Sequence, residues 1–161
     1  MLMAAPPKLD RIDRRILAAL QADGRLTNQA LSERVALSPS ACLARVRRLE
    51  RTGVIRGYHA RVDPFMLDVG MILFAEVTLE GHSPTELKRF EDAVAAVPQI
   101  VEASHVTGAY DYLLKVVASD MPEWTRIAET LTGADLGVDR IITHVVMGKP
   151  KVFMGYPVKI R

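Results

Sequence analysis

The chain has 161 residues, 49% of them hydrophobic, and its 21 Lys+Arg against 19 Asp+Glu give a net charge of +2. The length admits one large domain or two small ones; the lone Cys42 excludes a disulfide framework within the chain and suits a reducing compartment; and neither the start MLMAAPPKLD nor any later stretch has the apolar run of a signal peptide or of a membrane span of roughly 20 residues. Residues 1–63 carry 12 Lys+Arg against 6 Asp+Glu and residues 64–161 carry 9 against 13, so that, unless this is scatter in surface composition, two domains with different partners are expected, 1–63 and 64–161, in a soluble cytoplasmic protein.

LDRIDRRILAALQADG places Leu9, Ile12, Ile16, Leu17 and Leu20 at helical spacing. Asp10 and Asp13 lie near the positive end of its dipole, and Gly24 suits the stop. TNQALSERVAL predicts a short second helix, N-capped by Thr27, with Leu31 and Val35 as an i, i+4 apolar pair. A tight join through Ala36 and Leu37 leads to a third helix, with Ser38 as N-cap, Pro39 in the first turn and Gly53 at the stop. Cys42, Val46 and Leu49 share one face of this helix, with Leu43 at its edge. The opposite face carries Ser40, Ala41, Ala44, Arg48 and Arg51, and Arg45 and Arg47 flank the apolar stripe. Small side chains let a helix approach a groove closely, and arginines clamp phosphates or fork onto guanine. Two short helices joined by a tight turn have the form of a helix-turn-helix. Double-stranded DNA is the expected partner, with Ser38, Ser40, Ala41, Ala44, Arg45, Arg47, Arg48 and Arg51 as contact residues. The segment VIRGYHARVDP, with Val54, Tyr58 and Val62 among basic residues, is strand-like and would serve as a wing. The plainer reading is a solvated basic helix in an ordinary three-helix core.

From residue 64 the rhythm changes. MILFAEVTLEG (Met71–Gly81) is strand-like. SPTELKRFEDAVAAVP (Ser83–Pro98) is an amphipathic helix capped by Ser83 and Pro84, with Leu87, Phe90, Val94 and Val97 on its core face. IVEASHVTG and YDYLLKVVAS are two strands turning at Gly108 and Ala109, MPEWTRIAETLTG (Met121–Gly133) is a second helix, VDRIITHVVMGK a fourth strand, and KVFMGYPVKI a candidate fifth. The order β-α-β-β-α-β is the ferredoxin-like unit, whose antiparallel sheet hides one face under two helices. Ile72, Phe74, Val101, Leu113 and Val145 mark apolar sheet faces, and a second copy is expected to cover the face the helices leave open.

The four histidines, His59, His82, His105 and His144, have no metal-ligand spacing with Cys or with each other. No P-loop, dinucleotide glycine motif or nucleophile elbow occurs. Neither a metal nor a catalytic centre is expected, and Cys42 reads as a small core residue.

Taken together, L-D-x-x-D-x-x-I-L at the start, L-S-P-S-x-C-x-x-R-V-x-x-L-E in the third helix, I-x-G-Y after it, and VTGAYDYLLKV and THVVM in the second half resemble, over essentially the whole chain, the Lrp/AsnC (feast/famine) family of transcriptional regulators. The resemblance implies an α+β protein with an N-terminal winged helix-turn-helix and a C-terminal ferredoxin-like effector-binding and assembly domain. It further implies homodimers that often associate into octamers, and an amino acid or related small metabolite as effector, held between dimers near the G-x-x-D-Y loop. Carried onto this chain, that site is Val106, Thr107, Gly108, Ala109, Tyr110, Asp111 and Tyr112, with Thr143 and His144. A tight turn exposes N–H groups for a carboxylate, and Asp111 or a carbonyl can take an ammonium group; alternatively Asp111 and Thr143 only cap the turn and satisfy the sheet. Two other classes stay open at this point: an enzyme on the same dimeric scaffold, which would need convergent polar groups in the second half, and a DNA-packaging protein without an effector.

Overall fold

Three capped helices build the first unit of a computed structural model that describes residues 8–133 and 135–159. In α1 (Arg11–Ala22) the Asp13 N–H donates to Asp10 Oδ1 at 2.8 Å and the Asp10 N–H to Asp13 Oδ2 at 3.0 Å, a capping box made of two aspartates. Thr27 caps α2 (Asn28–Val35) and Ser38 caps α3 (Pro39–Arg51), each accepting a backbone N–H from the third residue on. Ile16, Leu31, Val35, Cys42 and Leu49 close the core between them. Burial pushes the Cys42 thiol up, which suits a packing role.

The join between α2 and α3 is made by Ala36 at φ 57, ψ 51, and the next N–H, that of Leu37, reaches Ser32 O at 3.0 Å. A Cβ in the left-handed region costs roughly 1–2 kcal/mol, part of which glycine's greater unfolded-state freedom offsets. Ala36→Gly is therefore expected to stabilise the protein by up to about 1 kcal/mol in urea unfolding; a lower midpoint would mean that the exposed Ala36 methyl contributes packing.

Two sequence expectations need correction here. Residues 54–63 form no strand: Val54 and Ile55 pack under the three helices, and the exposed residues that follow have no neighbouring strand to pair their backbone. The candidate fifth strand is not one either, over its described residues 151–159. Pro150 and Pro157 lack the N–H a ladder needs, and Gly155 bends the chain at φ +114. That tail belongs to the first unit, made of the described parts of Met1–Arg61 and Lys151–Arg161, whereas the second spans Val62–Pro150. The Tyr156 N–H donates to Gln21 Oε1 at 2.6 Å and Gln21 Nε2 donates to Tyr156 O at 2.9 Å.

The second unit has the expected β-α-β-β-α-β order: β1 (Met71–Leu79), α4 (Pro84–Ala95), β2 (Ile100–His105), β3 (Tyr112–Ala118), α5 (Met121–Gly133) and β4 (Val138–Val145). The sheet is antiparallel in the order β2-β3-β1-β4. Alternate residues Leu73, Ala75, Val77 and Leu79 of β1 and Tyr112, Leu114, Val116 and Ala118 of β3 face Phe90 and Val94 of α4 and Trp124, Ile127 and Leu131 of α5. Each large side chain so buried contributes about 1.5–3 kcal/mol.

The opposite face is less apolar than expected. Pairing puts Ile72, Phe74 and Leu113 there, but with Glu76, Lys115 and His144 among them. Val145 stands opposite Leu73, on the helix side, and Val101 falls in a bulge of β2. A one-residue shift in register exchanges the faces of a strand, which is why single apolar residues did not identify them.

Candidate functional site

The outward face of α3 is set by what its inward face buries. Cys42 and Leu49 are sealed in the core, and Asn28 Nδ2 donates to Pro39 O at 2.8 Å, fixing the start of α3 to α2. Ser38, Ser40, Ala41, Ala44, Arg47 and Arg51 are then exposed along the other side. Arg47 and Arg51 make no ion pair among the described residues.

Arg45 and Arg48 are placed differently. Arg45 Nη1 lies 2.6 Å from Asp10 Oδ2 and 2.9 Å from Asp13 Oδ1, and Arg48 Nη2 lies 2.5 Å from Asp13 Oδ2. The Asp13 side chain is 1% exposed, while those of Arg45 and Arg48 are 30% and 38% exposed. Burial alone would push the Asp13 carboxyl up, but Arg48, the Asp10 N–H and Arg45 outweigh it and hold it below the usual carboxylate range. The Asp13 N–H and then Arg45 lower that of Asp10. Sequence reasoning saw these acids only as dipole partners. The D-x-x-D spacing of a capping box and the i, i+3 spacing of Arg45 and Arg48 were the available signals, but nothing local joins the two.

In the second unit, the loop between β2 and β3 is closed by the Val106 N–H on Asp111 O at 2.8 Å and the Asp111 N–H on Val77 O at 2.9 Å. The Asp111 carboxylate accepts the Leu79 N–H at 2.8 Å through one oxygen and meets His82 Nε2 at 2.8 Å through the other. The Leu79 N–H first, then His82, lower its pKa against the effect of burial. Gly108 sits at φ +136, and Thr107, Gly108 and Ala109 are exposed. The N–H groups of Thr107, Gly108, Ala109 and Tyr110 reach no backbone carbonyl among the described residues. Tyr112 is buried, stacks on His105 at 4.6 Å and donates its hydroxyl to Glu91 at 3.1 Å; burial and Glu91 push it up to about 12, so it stays a donor. A recess of about 330 Å³ adjoins these residues between α4 and β2, with Glu91, Glu102 and His105 beside Phe90, Val94 and Val101.

Thr143 and His144 are not brought to this loop within the chain. They lie on β4, which β1 separates from β3. Being successive residues of a strand, they also face opposite ways: Thr143 accepts the Trp124 indole N–H at 3.1 Å, and His144 meets Glu76 at 3.1 Å on the other face. Among the described residues no three potential metal ligands converge, and no helix is long and apolar enough to cross a membrane.

Residues 9–56 match the model of a winged helix-turn-helix DNA-binding domain, and residues 72–155 match the Lrp/AsnC ligand binding domain. The leucine-responsive regulatory protein of Escherichia coli K12 is 46% identical over 144 residues, which cover 89% of this chain and 87% of that protein. A transcriptional regulator of Neisseria meningitidis, solved as a complex with L-methionine, superposes with a TM-score of 0.85 at 34% identity, over 93% of this chain and 97% of that one. An AsnC family regulator of Agrobacterium tumefaciens gives 0.85 at 32% identity, over 92% and 97%. These proteins are regulators rather than enzymes, and both units match in chain order: the chain belongs to the Lrp/AsnC family of DNA-binding transcriptional regulators.

Proposed function

We propose that this regulator reads DNA through the exposed face of α3 and answers to an amino acid bound at the β2–β3 loop. The observation that carries the second half is the loop itself: free N–H groups at Thr107–Tyr110 in a loop whose flanking residues His105 and Tyr112 line an apolar recess together with Glu91 and Glu102. The N–H groups suit a carboxylate, the two acids an ammonium group, and the recess an apolar side chain; its volume lies within the range of small-molecule sites. The L-methionine complex of the Neisseria relative supports the ligand class. Ile72, Phe74 and Leu113, on the mixed sheet face that the helices leave open, support a homodimer, and dimers sharing ligand at the loop would form the octamer. Spacing between copies of α3 then decides which half-sites are held together, so the ligand acts through assembly. A reducing cytoplasm is the compartment in which the free Cys42 fits.

Asp111 takes the role of loop brace, because both its oxygens are already engaged. Screening the twenty amino acids for thermal stabilisation, and measuring duplex binding with each hit, tests the reading. Coupling between effector and DNA is expected at about 1–3 kcal/mol, a shift of roughly 5- to 150-fold. Asp111→Ala should reduce that shift and leave ligand-free DNA affinity largely intact. An undiminished response would place the sensor elsewhere, and a protein that binds DNA but no amino acid would favour packaging over regulation.

A further inference from the structure

α3 carries four arginines, yet two of them face an acid pair on α1. We propose that Asp13, with Asp10, is a positioning residue that withholds Arg45 and Arg48 from DNA, so that the cationic contacts of α3 fall to Arg47 and Arg51. This rests on the DNA reading above and adds which side chains carry it.

The geometry is a closed set of two carboxylates and two guanidinium groups. Asp13 is 1% exposed and holds both arginines within 2.9 Å, while its remaining demand is met by the Asp10 N–H. Asp10, half-exposed, binds the same Arg45 nitrogen and puts a negative charge beside any phosphate that approaches it. Releasing an arginine to DNA would leave a buried carboxylate short of a partner, a penalty larger than the gain from one added arginine contact at a wet interface. The set therefore stays closed on binding. Its charges cancel locally, and the surface offered to DNA is the small one, Ser40, Ala41 and Ala44, with Arg47 and Arg51 on its open side.

The consequence is for specificity. Phosphate contacts raise affinity for every sequence alike, whereas close approach of a small surface to base edges discriminates. An acid pair that cancels two of four arginines lowers affinity for random DNA and so widens the ratio between target and non-target sites.

The test is the salt dependence of binding to a mixed-sequence duplex, read as the slope of log affinity against log salt between about 50 and 200 mM. Each phosphate contact contributes about 0.9 to that slope. Arg47→Gln and Arg51→Gln should each flatten it by about that amount. Arg45→Gln and Arg48→Gln should leave it unchanged, since glutamine keeps a donor for the acids. Asp13→Asn, which preserves volume and one acceptor, should steepen it by about 1 to 2 and tighten random-DNA binding, an outcome that damage to the fold cannot produce. Asp13→Asn combined with Arg48→Gln should undo part of the steepening. If Asp13→Asn does not fold, the arginine variants decide alone. Equal flattening by Arg45→Gln, Arg48→Gln and Arg51→Gln, with the parent binding normally, would overturn the withholding role; a parent whose binding shows no salt dependence would overturn the DNA reading beneath it.

Discussion

Phe90→Ala should destabilise the second unit by about 3–5 kcal/mol. Phe90 is fully buried at the centre of α4, with its ring 4.7 Å from that of Tyr112 and tilted 47° to it. Its removal forfeits the transfer free energy of the ring and opens a void beneath Tyr112 that a sheet on one side and two helices on the other cannot close. Trp124, the single tryptophan, lies in the same core and reports on it by fluorescence. The urea midpoint should fall with the slope preserved, since the surface exposed on unfolding hardly changes. A loss below about 1 kcal/mol would mean that the site repacks and that α4 is held mainly by its other contacts.

Asp13→Ala is the second large effect, expected at about 2–4 kcal/mol. Breaking a buried ion pair costs about 3–5 kcal/mol when the surviving charge stays buried; here the surviving arginines are about one-third exposed and can rehydrate, which lowers the figure. The capping bond to the Asp10 N–H is lost as well. The effect has a pH signature. The folded-state pKa of Asp13 lies below its unfolded value, so its contribution is fully present above the unfolded value near pH 4 and disappears as pH falls through the folded one. Parent and Asp13→Ala stabilities should thus differ most at neutral pH and converge in acid. A gap that is constant from neutral to about pH 3 would assign the loss to packing rather than to charge.

What could be read in the sequence was local. Ser38-Pro39 and Ser83-Pro84 announce helix starts because a cap and a fixed φ act within one turn, and both helices begin there. Runs rich in β-branched and aromatic residues announce β1 and β3 as strands because such side chains suit a pleated, half-buried surface. The rest depends on pairings across the chain. Arg48 meets Asp13 from 35 residues away, so its charge looked available. Thr143 and His144 look like one patch until the sheet order inserts β1 before the loop. Asp111 looked like a ligand for an ammonium group, and only the fold brings Leu79 and His82 to its two oxygens. The tail has the composition of a strand, but prolines and Gly155 deny it a ladder, and its partner, Gln21, lies near the other end of the sequence.

That tail bears on the order in which the protein can be made. The unit holding α3 is assembled from two segments with roughly ninety residues between them, and closing so long a flexible stretch would cost on the order of 4 kcal/mol. On the ribosome α1, α2 and α3 emerge early and can pack at once, whereas Tyr156, which bonds Gln21, is made only after all four strands of the sheet. Folding of the intervening sheet first fixes the two ends of that stretch and removes most of the entropic cost, so the tail docks after the sheet has formed. A chain cut after β4 would keep three packed helices and leave the Gln21 amide to water: Tyr156, more than a hundred positions beyond α3, completes the unit to which α3 belongs.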